Sequence, residues 1–220
     1  MLSLNNITKK YKDKVIFQNA DFEAATGEIV LLMGQSGIGK STFLDIIAGI
    51  KSFDSGRYYY QNQEIFPKND EQMSAFRNQT IGYILQDFAL IDDYSVLENI
   101  ILPSFYNAAM DTEAAKERAR YLSDKFDLIE ILPSKVKNIS GGQKQRVAIV
   151  RSLILDPSII LADEPTTNLD TKNFDFVMET FKELATKGKL IIIATHDERI
   201  LTIADKVYQV QNYKLIVWQC

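Results

Sequence analysis

The sequence predicts an α/β fold in which helices cover a parallel β-sheet. Two observations carry that prediction. Three short runs, at residues 29–33, 159–162 and 190–194, are apolar almost throughout. A strand with one wet face alternates apolar and polar residues, whereas an unbroken apolar run reads as a strand buried on both faces. Each run is followed by a stretch of helical periodicity, at residues 41–50, 171–186 and 197–204. Strand followed by helix, repeated, is the pattern of a sheet with helices packed on it.

The other elements follow in chain order. Residues 1–33 and 55–66 place Val15, Phe17 and Phe22 among polar residues, and Ser55-Gly56 opens the run Arg57-Tyr58-Tyr59-Tyr60. These stretches read as antiparallel strands joined by turns. The tyrosines suit a β-strand; a stacking platform is the competing reading. Ile81-Gly82-Tyr83-Ile84-Leu85 is a further expected strand, closing on Gln86. Residues 87–157 read as helical. Asp111 is an expected N-cap for a helix with Ala115, Ala119, Leu122 and Phe126 on one face, and a second helix over 141–155 stops at Asp156-Pro157. The expected organisation is one domain over residues 1–220. Its core and antiparallel β subdomain come from 1–86 and 158–220, and 87–157 form an inserted helical subdomain.

Composition narrows the function classes. Of 220 residues, 46% are hydrophobic and 25% charged, the proportions of an ordinary globular protein. A formal net charge of −4 gives no whole-chain attraction to nucleic acid, so no nucleic-acid partner is expected. Cys220 is the only cysteine, which excludes an internal disulfide and suits a reducing compartment. The start, Met1-Leu2-Ser3-Leu4, lacks the basic and apolar regions of a signal peptide. No apolar run approaches the ~20 residues that span a bilayer. The expected location is cytoplasmic, with any membrane attachment supplied by another chain.

Gly34-Gln35-Ser36-Gly37-Ile38-Gly39-Lys40-Ser41 fits the pattern G-x-x-x-x-G-K-[ST] and lies between an expected strand and an expected helix, the context this motif requires. The glycines allow tight curvature, so that backbone amides surround phosphates. Lys40 can reach the β- and γ-phosphates, and Ser41 can ligate Mg²⁺. The expected phosphate contacts are Gly34, Ser36, Gly37, Gly39, Lys40, Ser41 and Thr42. Residues 159–162 end in Asp163-Glu164. Two acids after a buried strand, in a chain with a phosphate loop, suggest a metal-holding carboxylate at Asp163 and a general base at Glu164. His196, the only histidine, follows another expected strand end, where ligand sites of α/β folds gather. Ser140-Gly141-Gly142-Gln143 opens the helix over 141–155. Its bare N–H groups form a second anion-seeking element, and one nucleotide needs only one from its own subunit. That surplus points to a nucleotide held between two copies.

Taken in order, these motifs resemble the nucleotide-binding subunit of ATP-binding cassette (ABC) transporters, over essentially the whole chain. The resemblance implies a P-loop NTPase core of RecA-like type. Gly34 to Ser41 looks like the Walker A loop and Gln86 matches the Q-loop glutamine, which implies catalytic and metal-ligand roles for Gln86. Residues 140–143, with Lys144-Gln145-Arg146 following, look like the family signature, with Ile139 where leucine is usual. Asp163-Glu164-Pro165 is similar to the Walker B end, Asn168-Leu169-Asp170 to the D-loop, and His196 to the switch histidine. Tyr11 sits where the family carries an aromatic that stacks on adenine. ATP and Mg²⁺ are the implied cofactors. The implied assembly is an ATP-dependent head-to-tail homodimer working with a separate transmembrane permease on the cytoplasmic face of the membrane.

Residues 82–90 and Ser95-Val96-Leu97-Glu98-Asn99-Ile100 resemble the short ATPases of lipoprotein release, macrolide or peptide efflux and bacteriocin export. Ile38 and Asp92-Asp93 depart from that pattern; serine or alanine, and proline, are usual there. Phe88, Leu90, Ile91 and Tyr94 are expected either to receive a short helix of the membrane partner or to pack as core. Two other functions compete with transport. One is an ATPase of a cell-division complex regulating cell-wall hydrolases, which has similar length and motifs. The other is a nucleic-acid-acting ABC ATPase, disfavoured by the absence of sustained heptads between Lys40 and Asp163 and of zinc-binding cysteines. A P-loop small-molecule kinase gives no reason for residues 140–143.

Overall fold

The computed structural model describes residues 1–65, 70–167 and 169–218. The chain opens with β1 (Leu2–Tyr11), β2 (Lys14–Ala24), β3 (Ile29–Met33), α1 (Lys40–Ile47), β4 (Ser55–Tyr60), β5 (Gln63–Ile65), α2 (Asp70–Thr80) and β6 (Ile81–Ile84). The stretch from β6 to the next strand contains only helices: α3 (Val96–Ile101), α4 (Thr112–Lys125) and α5 (Gly141–Leu153), with three short 3₁₀ turns between them. Then come β7 (Ile159–Asp163), α6 (Thr171–Thr186), β8 (Leu190–Thr195), a 3₁₀ helix (Glu198–Ile203), β9 (Lys206–Gln211) and β10 (Lys214–Val217).

The three unbroken apolar runs are β3, β7 and β8, and they lie side by side. The larger sheet has the order β10-β9-β3-β8-β7-β6, parallel from β9 to β6 with β10 antiparallel at one edge. The reason for the unbroken apolarity is visible in the packing. Ile29, Leu31 and Met33 of β3, with Ile160, Ala162, Ile191 and Ile193, face α6 and the helical block. Val30 and Leu32, with Ile159, Leu161 and Ile192, face α1 and the smaller antiparallel sheet, β2-β1-β4-β5. Successive side chains point to opposite faces, and both faces are covered.

Several expectations need correction. The helix expected over 197–204 is a short 3₁₀ helix. The Asp197 side chain accepts from the Arg199 amide, two residues on, and Ile200 and Ile203 bury themselves at the three-residue repeat of 3₁₀ geometry. The first helix stops at Ile47 rather than 50, because Gly49 takes a left-handed φ of 63° and its amide bonds back to Ile46 O. The tyrosine run is not a platform. Tyr58 is fully buried, donates to Ile47 O (3.0 Å) and meets Phe76 of α2 edge-on, as Tyr60 also does. Helix α2 itself has only Met73 and Thr80 buried, so its sequence carries no apolar stripe to read.

One glycine sets how the helical block meets the sheet. A Cβ on Gly82 of β6 would lie 2.3 Å from Ser152 O of α5 and 2.9 Å from Pro157 Cγ. Only a bare Cα lets α5 pack this closely on β6, which fixes α5 relative to Gln86 just beyond that strand.

Candidate active site

The parallel register aligns Met33 with Thr195, Asp163 with Ala194 and Ile84 with Ala162. The phosphate loop after β3, Gln86 after β6, Asp163-Glu164 at the end of β7 and His196 after β8 therefore converge at one edge, outside the carboxyl ends of the strands.

The loop holds Gly34, Gly37 and Gly39 at φ of 151°, 75° and 118°, conformations that L side chains rarely adopt. A Cβ on Gly39 would lie 2.6 Å from Ile16 Cγ2, so β2 backs the loop directly. Lys40 opens α1 and is 5% exposed. Its ammonium donates to Gly34 O (2.8 Å) and Gln35 O (3.3 Å) and stands 3.5 Å from Glu164 Oε1. Ser36, Gly37, Gly39, Lys40, Ser41 and Thr42 line a cavity of about 250 Å³ with Gln86, Thr167, Glu164 and His196. Among the described residues, none from α5 lines it.

Glu164 is fixed from every side. Its amide donates to Ala194 O (2.8 Å), and the Thr195 hydroxyl donates to Oε2 (3.2 Å). His196 Nδ1 stands 2.9 Å from Oε1. The backbone of Glu164 has a φ of 47°, left-handed for a non-glycine residue, a strain of roughly 1–3 kcal/mol of the kind that gathers at functional sites. The carboxylate is thus aimed and preorganised rather than free to rotate.

Asp163 is 6% exposed. Burial raises its pKa; a hydrogen bond from Ser41 opposes this, the Glu164 and Asp45 carboxylates add to the rise, and Lys40 offsets part of it. Its Oδ1 is buried with no hydrogen-bond partner. An orphaned carboxylate oxygen is costly and calls for an explanation. Ser41 and Gln86 line the same cavity as Asp163, and the three together offer hard oxygen donors. That set, with a single carboxylate, fits Mg²⁺, which is usually bound through one or two carboxylates and completes its shell with water and substrate phosphates. Among the described residues, no cluster of three or more His, Cys, Asp or Glu forms an all-protein cage.

The raised pKa has a consequence for stability. A carboxyl whose folded pKa exceeds its unfolded one binds more protons when folded, so stability falls as pH rises through that interval and stays low above it. Asp163→Asn is expected to raise the melting temperature of the nucleotide-free, Mg²⁺-free protein at neutral pH by a few degrees, the size of a ~1 kcal/mol change. The gain should shrink as pH falls toward the ordinary aspartate range. Calorimetry across pH checks this, and an unchanged or lower melting temperature at neutral pH would contradict it.

The amino end of α5 is less bare than its sequence suggests. Ser140 Oγ accepts from the Gln143 amide (3.3 Å) and Gln143 Oε1 accepts from the Ser140 amide (2.9 Å), a closed capping box. That narrows the expectation of bare N–H groups at this terminus: Ser140 and Gln143 satisfy each other, and the Gly141 and Gly142 amides remain. The two glycines differ in purpose. A Cβ on Gly141 would meet nothing within 4 Å, whereas one on Gly142 would lie 2.9 Å from Asn173 Nδ2. Both line a second, wider cavity of about 780 Å³ with Ser41, Gln86 and Asp163.

Two expected positions stand apart. Tyr11 ends β1, half exposed, with Lys9 Nζ 4.8 Å from its ring centre, and lines neither cavity. Asp170 is the N-cap of α6 and accepts from the Asn173 amide (2.8 Å). Asn168, of the same motif, and Cys220 lie outside the described residues. Sequence reasoning missed three supporting residues. Thr195 orients Glu164. Gln145, 2% exposed, donates to Pro165 O (2.8 Å) and ties α5 to the turn after Glu164. Arg151 donates to Phe88 O and Ala89 O. Gln145 and Arg151 follow residues 140–143 along α5, and polar residues on a buried helix face were the signal available.

The comparisons with known proteins agree with this geometry. The family profile described as "ABC transporter" matches residues 17–167. The chain is 38% identical to the ABC transporter ATP-binding protein YvrO of Bacillus subtilis over 99% of its length and 96% of that protein. It is 35% identical to the lipoprotein-releasing system ATP-binding protein LolD of Bacteroides fragilis, over 98% of this chain and all of that one. It is also 35% identical to the macrolide export ATP-binding/permease protein MacB of Campylobacter jejuni, over 98% of this chain but only 34% of that protein. Among solved structures, the ABC transporter cassette MJ0796, determined as a dimer, superposes with a TM-score of 0.90 at 34% identity, covering 98% of this chain and 96% of that one. The same cassette bound to ADP and Pi gives 0.87. The chain belongs to the ABC transporter family, as an ATP-binding cassette that binds and hydrolyses ATP.

Proposed function

We propose that two copies of this chain close head to tail around two ATP molecules and so drive a separate membrane permease that exports or releases a peptide, antimicrobial or lipoprotein-type cargo. One observation carries the reading. The phosphate cavity at Lys40 is lined without any described residue of α5, while α5 opens on Gly141, where an added Cβ would meet nothing within 4 Å. A helix terminus that stands outside the cavity around its own Lys40, and meets only the wider cavity that Ser41, Gln86 and Asp163 also line, is explained by a second copy's nucleotide. The similarity to a cassette solved as a dimer supports it.

In this reading the loop amides and Lys40 hold the phosphates, and the signature residues Ser140, Gly141, Gly142 and Gln143 complete the site from the other subunit. Glu164 takes the proton of the attacking water, with His196 and Thr195 holding its carboxylate in place. Ser41, Gln86 and Asp163 would hold Mg²⁺, which supplies neutralisation of phosphate charge. Tyr11 stacks on adenine from the β1–β2 hairpin, and Asp170 faces the partner subunit. We also take 87–157 as the unit that turns against a core built from 1–86 and 158–220.

No helix among the described residues is long and apolar enough to cross a membrane. In the proposed assembly the permease is a separate chain, and the cassette is peripheral on the cytoplasmic face. Ile91 and Tyr94 are exposed, Tyr94 at 44%, while Phe88 and Leu90 are half-buried against the core. We assign the docking surface to this segment. Co-expression of Tyr94→Glu with the permease tests it. Permease-stimulated turnover is expected to fall about tenfold or more, with solubility and basal turnover unchanged, since a central interface aromatic contributes ~2 kcal/mol or more. Insoluble protein would instead mark the residue as core, and full stimulation would place the docking surface elsewhere.

A further inference from the structure

One face of α5 grips the segment after Gln86 at two points. Arg151 donates to Phe88 O (2.5 Å) and Ala89 O (2.6 Å), both residues with left-handed backbone at φ of 63° and 44°. Seven positions earlier, two helical turns along the same face, Lys144 pairs with Asp92 at 3.4 Å. Lys144 directly follows Gln143 of the signature, so the pair joins the signature end of α5 to the segment that runs from Gln86 to Tyr94.

An isolated exposed ion pair contributes little, because two flexible side chains must be ordered to make it. This pair differs in three respects. The Asp92 backbone is already held, since its carbonyl accepts from the Lys137 amide (3.1 Å) and the nearby Tyr94 carbonyl accepts from the Val136 amide (3.0 Å). The Lys144 side chain is 29% exposed, and it stands on a helix. Asp93 next door pairs with Lys137 (2.7 Å) and lies 4.0 Å from Lys135, so a second group of ion pairs tethers the same segment.

We propose that Asp92 and Lys144 are a positioning pair that sets the angle at which α5 presents residues 140–143 to a second copy's nucleotide. The proposal rests on the composite-site reading above. Its test is the ATP concentration for half-maximal dimerisation, read by sedimentation in a Glu164→Gln background. Asp92→Lys and Lys144→Asp are each expected to raise it about three- to tenfold, the reach of a lost and reversed exposed pair. Asp92→Asn should give a smaller shift in the same direction. The exchanged double variant should return to within about twofold of the background, which a direct phosphate-contacting role of Lys144 would not produce. Melting temperatures of the nucleotide-free single variants within about a degree of the background separate positioning from a merely structural role. Single variants that dimerise normally, or a double variant that fails to recover, overturn the positioning pair and leave the composite site standing. A background protein that never dimerises at saturating ATP overturns both.

Discussion

Glu164→Gln is expected to slow ATP turnover by about 10²- to 10⁴-fold, the usual contribution of a positioned general base, while ATP still binds. The substitution is nearly isosteric, so the contact with Thr195 and the backbone bond to Ala194 O can persist. What is lost is a carboxylate able to take a proton from water. The charge change also acts on binding. In the native site Glu164 lines the phosphate cavity and the buried Asp163 stands next to it in the chain, while Lys40 lies 3.5 Å from Glu164 and acts electrostatically on Asp163. Removing one negative charge lowers the repulsion that a triphosphate meets, so the ATP-bound dimer should accumulate instead of turning over. Single-turnover kinetics with sedimentation at saturating ATP reads both effects. Near-native turnover would remove Glu164 from the role of base. Lost turnover with a strictly monomeric protein would preserve that role and count against the two-subunit site.

How much of the fold and site is legible in sequence depends on the kind of residue. Buried strands announce themselves, because β3, β7 and β8 must be apolar on both faces. The residues proposed for catalysis are legible for a related reason: each sits at the end of one of those strands or of β6, so the strand reading also locates the candidate site. Helix α2 is not legible, since only Met73 and Thr80 reach the core and the rest of the helix is solvated. Strands β9 and β10 join an already formed sheet at its edge, and their alternation is too short to stand out. The supporting bonds are hidden for another reason. Gln145, Arg151 and Thr195 act on backbone or side chains 20 to 63 positions away, at Pro165, Phe88, Ala89 and Glu164. No local pattern encodes such a distance. The capping box at Ser140 and Gln143 is the reverse case. Its S-x-x-Q spacing is plain in the chain, and taken as a cap that spacing alone lowers the number of free amides at the start of α5.

Lys40→Ala is expected to abolish measurable hydrolysis, a loss of at least about 10²- to 10³-fold if electrostatic stabilisation of the transferring phosphoryl group is its main role. It should also remove most of the thermal stabilisation that ATP confers. The two effects have separate origins in the structure. Hydrolysis needs the ammonium beside the phosphates, and Lys40 is enclosed at 5% exposure, so no neighbouring cation can swing into its place. Stability of the free protein responds to different bonds. The ammonium answers the carbonyls of Gly34 and Gln35 and faces Glu164, and alanine leaves these acceptors without it. Asp163, already pushed toward protonation by burial, loses a charge that opposed the shift. The variant should therefore melt lower at neutral pH without ligand, and millimolar ATP should raise its melting temperature little, because stabilisation follows the logarithm of one plus the ratio of ATP concentration to Kd and fades once the weakened Kd approaches that concentration. Lys40→Arg should not restore turnover: a planar guanidinium fork replaces a compact ammonium point charge and presents its donors to the phosphates in a different geometry. Near-normal turnover in Lys40→Ala would remove the phosphate role from this loop, and an undiminished ATP-induced shift would place the nucleotide's main contacts elsewhere.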